Sequence, residues 1–365
     1  MLLASGRIPA EKTVKHKRYQ RFFYPLSRPL SLILSKPGYE LEYPEISPEQ
    51  ARVLKEKLML QMIKAGAEDF ALRWGTILRV SRFWLNSSHP LLDTAYKEIA
   101  SSTGYAEGAV RELFQHFFST LAHHNRPPIS RIPPFWQEKR RFVVHICSGN
   151  IPTASFPGIL LAYLLGTAQL VKVAEEDPFS PYYLIWSLRK CASSASFSSV
   201  PVAVIWWKGG QAENWEKALA SEADVVAVYG TSEPVAYWRK IFPSRRTFLP
   251  YGPKISFQIL GKRGQKLAQA VALDTVLFDQ QGCMSPHWCF LVGWKKEDIY
   301  IFARELAKKL VKLSGKYPPR DKTLEEKVRI RSAINLYRIK KGTVLVGDLE
   351  SGMVIVDKSR EILPS

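Results

Sequence analysis

The stretch "RFVVHICSGNIPTASFPGILLAYLLGTAQLVKVA", from Arg141 to Ala174, contains two apolar, β-rich runs separated by a helical segment. The same alternation continues with the runs "VPVAVIWW", "ADVVAVYG" and "RRTFLPY", each preceded by a helical segment. Strand and helix repeated in this order favour right-handed crossovers and a parallel sheet covered on both faces. The sequence therefore predicts a Rossmann-like unit over roughly residues 140 to 250, with ligands bound at the carboxyl ends of its strands.

Helices are predicted on the N-terminal side of this unit. The segment "SPEQARVLKEKLMLQMIKAGAEDFALRW" has Ser47 as a candidate N-cap and repeats apolar residues at helical spacing, and "YAEGAVRELFQHFFSTLAHH" forms a second helical segment. The following "NRPPISRIPPFW" cannot continue a helix, because its prolines lack the donor N–H. The first domain boundary is therefore expected there.

On the C-terminal side the pattern predicts a second α/β unit: the strand "KISFQILG", a helix, a cysteine-containing loop, the strand "HWCFLVGW", further helices and a hairpin. The predicted fold class is thus α/β, with a Rossmann-type parallel sheet domain, a second α/β domain and a helical N-terminal region. The predicted domains are a mainly helical region at 1–135, the Rossmann-like domain at 136–250 and a further domain at 251–365.

The composition is that of a globular protein with one unusual figure, a formal net charge of +19 over 365 residues. This charge suggests a polyanionic partner, for which nucleic acid, an anionic membrane face and a phosphate-rich cofactor all qualify. The longest apolar stretch is too short and too interrupted for a membrane span, and the N-terminus lacks the apolar core of a secretory signal, so the cytoplasm is expected. The 4 cysteines form no CxxC pair, which predicts free thiols and no metal site.

Polar residues follow three of the predicted strands at their carboxyl ends. Asn150 follows the first strand and would direct its amide toward a developing oxyanion, although a Gly-Asn pair often makes only a turn. Lys172 and Glu175 end the second strand, where a nucleotide ribose would lie, but charges at such positions are more often solvated. After the fourth strand, a helix begins whose free N–H groups would hold a phosphate or would simply be N-capped; its opening residues are Gly230, Thr231 and Ser232.

Cys283 differs from the other cysteines in its local sequence. Cys147 and Cys289 lie within apolar strand patterns, as inert structural thiols do. Cys283 lies between Gly282 and a Ser-Pro turn, in irregular backbone that a substrate can reach. A nucleophilic role would require a thiol pKa lowered by nearby dipoles or cations. His287 lies four residues further on and would serve as a base, although a histidine at the start of an apolar strand is more often structural.

Five segments in order, "CSGNIP", "LVKVAEED", "VYGTSE", "YGPKISF" and "DQQGCMSPH", resemble the aldehyde dehydrogenase superfamily. Within it they are most similar to the long-chain acyl-CoA reductases of the LuxC family, the reductase component of the fatty-acid reductase in bacterial luminescence systems. The resemblance covers about residues 45 to 350 and implies an aldehyde-dehydrogenase-like fold. It also implies an acyl-thioester reductase that forms a fatty aldehyde in the cytoplasm.

The resemblance implies roles for most of the candidate residues. The Cys283 thiolate attacks an acyl-CoA or acyl-carrier thioester. Asn150 and the backbone N–H of the cysteine stabilise the tetrahedral oxyanion. Lys172 and Glu175 contact the adenosine ribose, and Thr231, between Gly230 and Ser232, contacts the pyrophosphate. The implied cofactor is NADPH, because Lys172 suits a 2′-phosphate; NADH is the alternative, because Glu175 suits a free ribose hydroxyl.

Two departures from the superfamily pattern bear on function. The glutamate that activates water in hydrolytic aldehyde dehydrogenases is replaced by Pro250, which disfavours release of a free acid. The family normally continues well past a position such as Ser365, so one alternative is a catalytically degenerate partner subunit. A basic nucleic-acid-binding protein is a second alternative, but the charge is spread and no recognition motif accompanies it, so no nucleic-acid partner is expected. The resemblance further implies an acyl-protein synthetase partner and a homo-oligomer.

Overall fold

The computed structural model describes residues 17–36, 39–64, 70–86, 88–123, 141–192, 200–261, 264, 266–282, 285–348 and 352–357. The predicted boundary between 135 and 136 lies outside these residues, so the three domain ranges stay a prediction. Within the described residues, no helix is both long enough and apolar enough to cross a membrane.

The central sheet has five parallel strands, in the order β6-β5-β4-β7-β8. Its strands and helices alternate along the chain as predicted: β4 (Phe142–Ile146), α5 (Phe156–Leu164), β5 (Ala168–Lys172), α6 (Ser180–Cys191), β6 (Val202–Ile205), α7 (Glu213–Glu222), β7 (Val225–Tyr229), α8 (Ser232–Ile241) and β8 (Thr247–Tyr251). Strands β4 to β7 are buried throughout apart from the last residue of β5, as expected for a parallel sheet with both faces covered. The strand order reverses between β4 and β7, where the ligand crevice of such sheets lies.

Among the described residues, four helices precede this sheet: α1 (Gln50–Lys64), α2 (Phe70–Asn86), α3 (Pro90–Thr103) and α4 (Glu107–His123). The single helix predicted from Ser47 is wrong in its extent, because α1 begins at Gln50 and ends at Lys64. The next described residue, Phe70, already belongs to α2. The Ser47 N–H donates to Gln50 Oε1 at 3.1 Å, which is one of the two hydrogen bonds of a capping box. The sequence between α1 and α2 gives no stop signal beyond one glycine, and a single glycine is tolerated within a helix.

Three N-terminal strands were not predicted from the sequence: β1 (Lys17–Tyr19), β2 (Leu30–Lys36) and β3 (Tyr39–Pro44). They form a sheet in the order β1-β3-β2. This small sheet packs against the central one through the rings of Tyr43 and Trp206, 6.1 Å apart. Phe23, between β1 and β2, forms an antiparallel bridge with Val204 on β6. The N-terminal region therefore shares one hydrophobic core with the central sheet.

The C-terminal unit has its own, smaller core around two helices, α9 (Leu267–Val276) and α10 (Lys296–Lys316). These helices cover a parallel pair of strands, β9 (Ser256–Leu260) and β10 (Pro286–Leu291). The chain continues through α11 (Leu324–Ile339) and the predicted hairpin of β11 (Thr343–Asp348) and β12 (Gly352–Asp357). The second α/β unit thus has the element order predicted from the sequence.

Candidate active site

The loop after β4 enters the crevice at the point where the strand order reverses. The Cys147 N–H donates to Lys172 O at 3.0 Å, which extends the ladder by one residue before the loop begins. A Cβ atom on Gly149 would lie 2.5 Å from the Cβ of Glu176, so only glycine lets this loop approach the loop after β5. The next residue, Asn150, is exposed and presents its side chain at this edge of the sheet.

Asn150 contacts the segment that leads to Cys283. Its Nδ2 donates to Gln281 O at 3.1 Å, although the two residues are 131 positions apart. The backbone carbonyl of Asn150 accepts a hydrogen bond of 2.9 Å from Tyr105 Oη. An amide nitrogen carries two N–H groups, so Asn150 can hold this segment and still donate to a ligand.

The segment before Cys283 has an unusual backbone. After α9 the chain forms a 3-10 turn, Leu277–Gln280, in which Asp279 and Gln280 have φ values of 52° and 60°. The left-handed region is unfavourable for residues with a Cβ, by roughly 1 kcal/mol or more each. Tertiary bonds hold the turn, because Asp279 Oδ2 accepts from the Arg320 N–H at 3.1 Å and Gln280 Nε2 donates to Pro286 O at 3.1 Å.

Cys283 itself and Met284 lie outside the described residues, but both neighbours are placed. The Ser285 N–H donates to Gly282 O at 3.0 Å, so the residues on either side of this pair are hydrogen-bonded to each other. The Ile151 side chain lies 3.4 Å from the position of a Cβ on Gly282. The loop after β4 therefore contacts the residue immediately before the predicted nucleophile.

His287 lies at the start of β10, where the pairing with β9 shifts register between Pro286 and Trp288. Such a bulge redirects a side chain out of the regular alternation. The His287 side chain is exposed, and its ring centre lies 5.9 Å from that of Trp288. It makes no hydrogen bond or ion pair with the part of the chain that the structure describes, so its role as a base stays a prediction.

The three described cysteines are free thiols in environments unlike that of a nucleophile. Burial raises the pKa of Cys147 to about 12 and the pKa of Cys289 to about 11. Burial also raises the pKa of Cys191. A thiol with a raised pKa stays protonated and unreactive near neutral pH.

Lys172 and Glu175 lie at the carboxyl end of β5, as the sequence predicted. Burial lowers the pKa of Lys172, and among the described residues its ammonium is paired only with the Trp207 ring, 5.8 Å from the ring centre. Glu175 forms an ion pair with Lys36, whose Nζ lies 3.3 Å from the carboxylate oxygen. A cation held at a strand end without a carboxylate partner within hydrogen-bonding distance suits a polar or anionic ligand.

The residues predicted to bind a phosphate lie at the N-terminus of α8, as expected. Gly230 has a φ of 146°, in a region that other residues rarely adopt, and Thr231 is the N-cap. The Thr231 side chain makes no capping bond, which leaves its hydroxyl and the first N–H groups of the helix to a ligand. Thr231 and Ser232 are both exposed, so a phosphate can reach them.

No cluster of three or more potential ligands for a metal ion occurs among the residues for which side chains are described. The assembled candidate site instead consists of an exposed amide, a strained turn before a cysteine, and a strand end and a helix N-terminus that suit a nucleotide.

The family model described as "Acyl-CoA reductase (LuxC)" matches residues 136–361, more than half of the chain and every site residue predicted from the sequence. The chain belongs to the LuxC family. The resemblance noted in the sequence is thereby confirmed.

The LuxC-family chain is similar to several curated proteins. One is the long-chain acyl-protein thioester reductase of Aliivibrio fischeri, with 26% identity over 220 residues, which cover 58% of this chain and 44% of that protein. Another is the long-chain acyl-protein thioester reductase 2 of Photobacterium leiognathi, with 29% identity over 186 residues, which cover 50% of this chain and 38% of that protein. The matched segments span less than half of these relatives' own length.

Solved structures establish the fold of this LuxC-family chain. The aldehyde dehydrogenase C of Pseudomonas syringae, solved with NAD+ and octanal, has a TM-score of 0.60 at 14% identity, covering 95% of this chain and 75% of that one. The glyceraldehyde-3-phosphate dehydrogenase GapN of Methanocaldococcus jannaschii, solved with NADP, has a TM-score of 0.60 at 12% identity, covering 90% of this chain and 76% of that one. The aldehyde-dehydrogenase-like fold class predicted from the sequence is confirmed.

Several residues of the LuxC-family site were missed by the sequence analysis. Tyr105 and Arg320 contribute long-range hydrogen bonds, and Lys36 comes from a strand that was not predicted. None of them has a local motif, so only pairs that vary together among relatives would have identified them.

Proposed function

We propose that this LuxC-family chain is an acyl-thioester reductase that forms a fatty aldehyde through an acyl-enzyme on Cys283, with NADPH as the reductant. The observation that carries the proposal is the hydrogen bond from Asn150 Nδ2 to Gln281 O. It links the carboxyl end of β4, where the crevice of a doubly wound sheet lies, to the segment that ends in the cysteine.

The chemistry begins with the thiolate of Cys283, which attacks the carbonyl carbon of the thioester. One N–H of the Asn150 amide donates to the oxyanion that forms, while the other stays on Gln281 O. The oxyanion collapses, the bond from carbon to the carrier sulfur breaks, and the carrier leaves as a thiolate that takes up a proton.

The second half of the reaction releases the aldehyde. A reduced nicotinamide, when bound, supplies the hydride, that is, the two electrons that convert the acyl carbon to the aldehyde level. Asn150 again donates to the oxygen of the resulting tetrahedral species. The carbon–sulfur bond to Cys283 then breaks, the cysteine is regenerated as a thiolate, and the aldehyde leaves.

Release by water is disfavoured because a proline occupies the position where hydrolytic relatives carry a glutamate. Pro250 lies on β8, an edge strand of the sheet, where a proline costs no ladder hydrogen bond. A proline cannot accept a proton from water, so the acyl group should remain on the cysteine until it is reduced.

The described residues fit a dinucleotide. The uncapped N-terminus of α8 at Gly230, Thr231 and Ser232 would hold the pyrophosphate, and Lys172 and Glu175 would contact the adenosine ribose. The enclosed Lys172 ammonium without a carboxylate partner is the observation that favours an anionic or hydroxyl-rich group at this strand end.

The substrate and partners follow from the family. The curated relatives are named for long-chain acyl-protein thioesters, so the acyl donor here is taken to be an acyl-protein or a long-chain acyl-CoA. An acyl-protein synthetase as partner and a homo-oligomer belong to the same proposal. NADPH is preferred over NADH as the reductant.

The test is a turnover assay with palmitoyl-CoA and NADPH, in which aldehyde is measured by gas chromatography. The wild-type protein should form one aldehyde for each NADPH consumed, and Cys283→Ala should form none. Cys289→Ala is the matched control and should retain activity, because the raised pKa of that thiol keeps it protonated. Equal aldehyde formation by wild type and Cys283→Ala would refute the proposal.

A further inference from the structure

Lys36 brings a cation from outside the dinucleotide-binding unit to the nucleotide end of the crevice. It is the last residue of β2, in the N-terminal sheet, yet its Nζ lies 3.3 Å from Glu175 Oε1, just past β5. The two residues are 139 positions apart in the chain. The pair therefore joins the N-terminal sheet to the strand end where the adenosine ribose is proposed to bind.

We propose that Lys36 is a specificity-determining residue that favours a 2′-phosphorylated dinucleotide by neutralising Glu175 and by binding the 2′-phosphate. This inference rests on the proposed nucleotide-dependent function and deepens it.

The chemistry of the ribose position explains why this pair matters. In dinucleotide-binding α/β folds, an acidic residue at this position accepts hydrogen bonds from the 2′-hydroxyl and repels a 2′-phosphate, whereas a nearby basic residue accommodates the phosphate. Glu175 alone would select the unphosphorylated nucleotide. With Lys36 beside it, the carboxylate is already paired with a cation, so its repulsion of a phosphate is reduced.

The ion pair is accessible enough to respond to a ligand. The Lys36 side chain is 23% exposed and the Glu175 side chain is 44% exposed, so the pair is neither sealed in the core nor fully solvated. An exposed ion pair of this kind contributes at most about 1 kcal/mol to stability. A phosphate can therefore replace the Glu175 carboxylate as the partner of Lys36 with little loss of folding stability.

The surrounding charges are consistent with this role. Lys172, at the end of β5, supplies a second cation; burial lowers its pKa, while the carboxylates of Glu216, Glu176 and Glu175 raise it. The Glu216 carboxylate already accepts hydrogen bonds from Trp207 Nε1 at 2.8 Å and from the Tyr237 hydroxyl at 2.7 Å. Glu176 Oε2 lies beside Gly149, 2.9 Å from the position of a Cβ there. A 2′-phosphate at the ribose position would thus meet two lysines, with Glu175 paired to one of them and Glu216 hydrogen-bonded to other groups.

Packing fixes the position of Lys36. Strand β2 pairs with β3 up to Lys36, opposite Tyr39, and the Tyr39 ring lies 5.5 Å from that of Phe179 at the start of α6. The end of the N-terminal sheet is thereby anchored beside the loop that follows β5. The ammonium is held at the crevice by the fold and not by a flexible tail.

The test is calorimetric titration of the full chain with NADPH and with NADH, in 0.1 M salt at about neutral pH. Lys36→Met should raise the NADPH dissociation constant by about tenfold or more, because a direct phosphate contact is lost and Glu175 is left unpaired. The same variant should change the NADH dissociation constant by less than about threefold. Glu175→Gln should do the reverse, weakening NADH and leaving NADPH unchanged or tighter.

The matched control is Lys55→Met. Lys55 pairs with the Glu222 carboxylate at the same distance of 3.3 Å, and its side chain is about as exposed as that of Lys36, but it lies in α1 away from the proposed ribose position. It should leave both nucleotide affinities unchanged, and thermal unfolding of all variants checks that each is folded.

Three outcomes are decisive. A selective loss of NADPH affinity in Lys36→Met, absent in Lys55→Met, supports the inference. An equal effect on both nucleotides, or none, overturns the role of Lys36 while leaving the proposed reductase intact. If the wild-type protein binds neither nucleotide at millimolar concentration, both the inference and the proposed function fall.

Discussion

At the scale of single residues, the Asn150 side-chain amide has two N–H groups and can donate two hydrogen bonds. One N–H donates to Gln281 O, and the other is left for the oxyanion of the reaction that we propose. A donor held in place before substrate arrives needs no reorganisation during the reaction, which is why such groups contribute so much to catalysis.

Replacing Asn150 should therefore impair catalysis more than stability. Asn150→Ala is expected to lower kcat/KM for a long-chain acyl-CoA by about 100- to 1000-fold, or roughly 3 kcal/mol. Because the side chain is exposed, the free energy of unfolding should change by less than about 1 kcal/mol. Steady-state kinetics and urea unfolding measure the two effects, with Asn335→Ala, an exposed asparagine on α11, as the control. A decrease in kcat/KM of less than threefold would contradict the assigned role.

Asp177 is a second residue with a measurable signature. Burial raises its pKa to about 7, and its carboxylate accepts from the Ser180 N–H at 3.0 Å. Because the folded-state pKa lies above the unfolded value of 3.8, the contribution of this group to stability is complete below about pH 4. It is lost as pH rises through about 7.

The corresponding prediction compares wild type with Asp177→Asn in urea unfolding at pH 5 and pH 8. The stability of wild type relative to the variant should fall by about 2–3 kcal/mol between the two values. Asparagine keeps the acceptor for Ser180 but does not titrate in this range. A difference that stays constant with pH would mean that the carboxyl group is not protonated in the folded protein.

At the scale of secondary-structure elements, the approach of α5 to β7 depends on one glycine. A Cβ atom on Gly158 would clash with the Tyr229 hydroxyl, which is buried and has no hydrogen-bond partner among the described atoms. The Tyr229 ring in turn stacks on that of Tyr251 at 4.6 Å. The glycine thus sets how closely the helix after Asn150 packs on the sheet.

Gly158→Ala should destabilise the protein by about 1–3 kcal/mol, because the added methyl group overpacks this contact. Tyr229→Phe should restore most of the loss in the double variant, since the nearest remaining ring atom lies 3.4 Å from the new Cβ. Urea unfolding of the two single variants and the double variant measures the coupling. Additive effects, with no rescue, would show that the hydroxyl is not what excludes a larger residue.

The sequence predicted the elements that local patterning specifies. Buried runs such as Phe142–Ile146 and the helices between them have clear periodicity, and the carboxyl-end positions of Asn150 and Thr231 follow from strand order alone. It did not predict β2 and β3. Residues of these strands face a neighbouring layer of the protein, and that layer forms only when the chain folds. The sequence also missed Lys36 and Tyr105, because a contact across 139 or 45 positions leaves no local signal.

At the scale of the whole molecule, the Glu98 side chain connects three regions of the chain by hydrogen bonds. Its carboxylate accepts from Arg21, in the N-terminal segment, at 2.9 Å and from the Tyr183 hydroxyl, on α6, at 2.6 Å. Glu98 itself lies on α3. One side chain therefore joins the segment leading to β2, a helix of the N-terminal region and a helix of the central sheet.

Glu98→Ala should lower the free energy of unfolding by about 2–3 kcal/mol, because a partly buried cation and a hydroxyl both lose their acceptor. Glu56→Ala, which breaks the exposed pair with Arg52, is the control and should leave the free energy of unfolding almost unchanged. Urea unfolding compares the two. Equal, small losses would show that the N-terminal segment is held by its apolar contacts alone.

The central claim, that Cys283 forms an acyl-enzyme in the crevice of this fold, is tested most directly by intact-protein mass spectrometry after mixing with palmitoyl-CoA and no reductant. We expect the wild-type chain to gain one palmitoyl group, located on Cys283 by peptide mapping and discharged as aldehyde when NADPH is added. Cys283→Ala should gain none. An unmodified wild-type protein, or an acyl group located on another residue, would contradict the account.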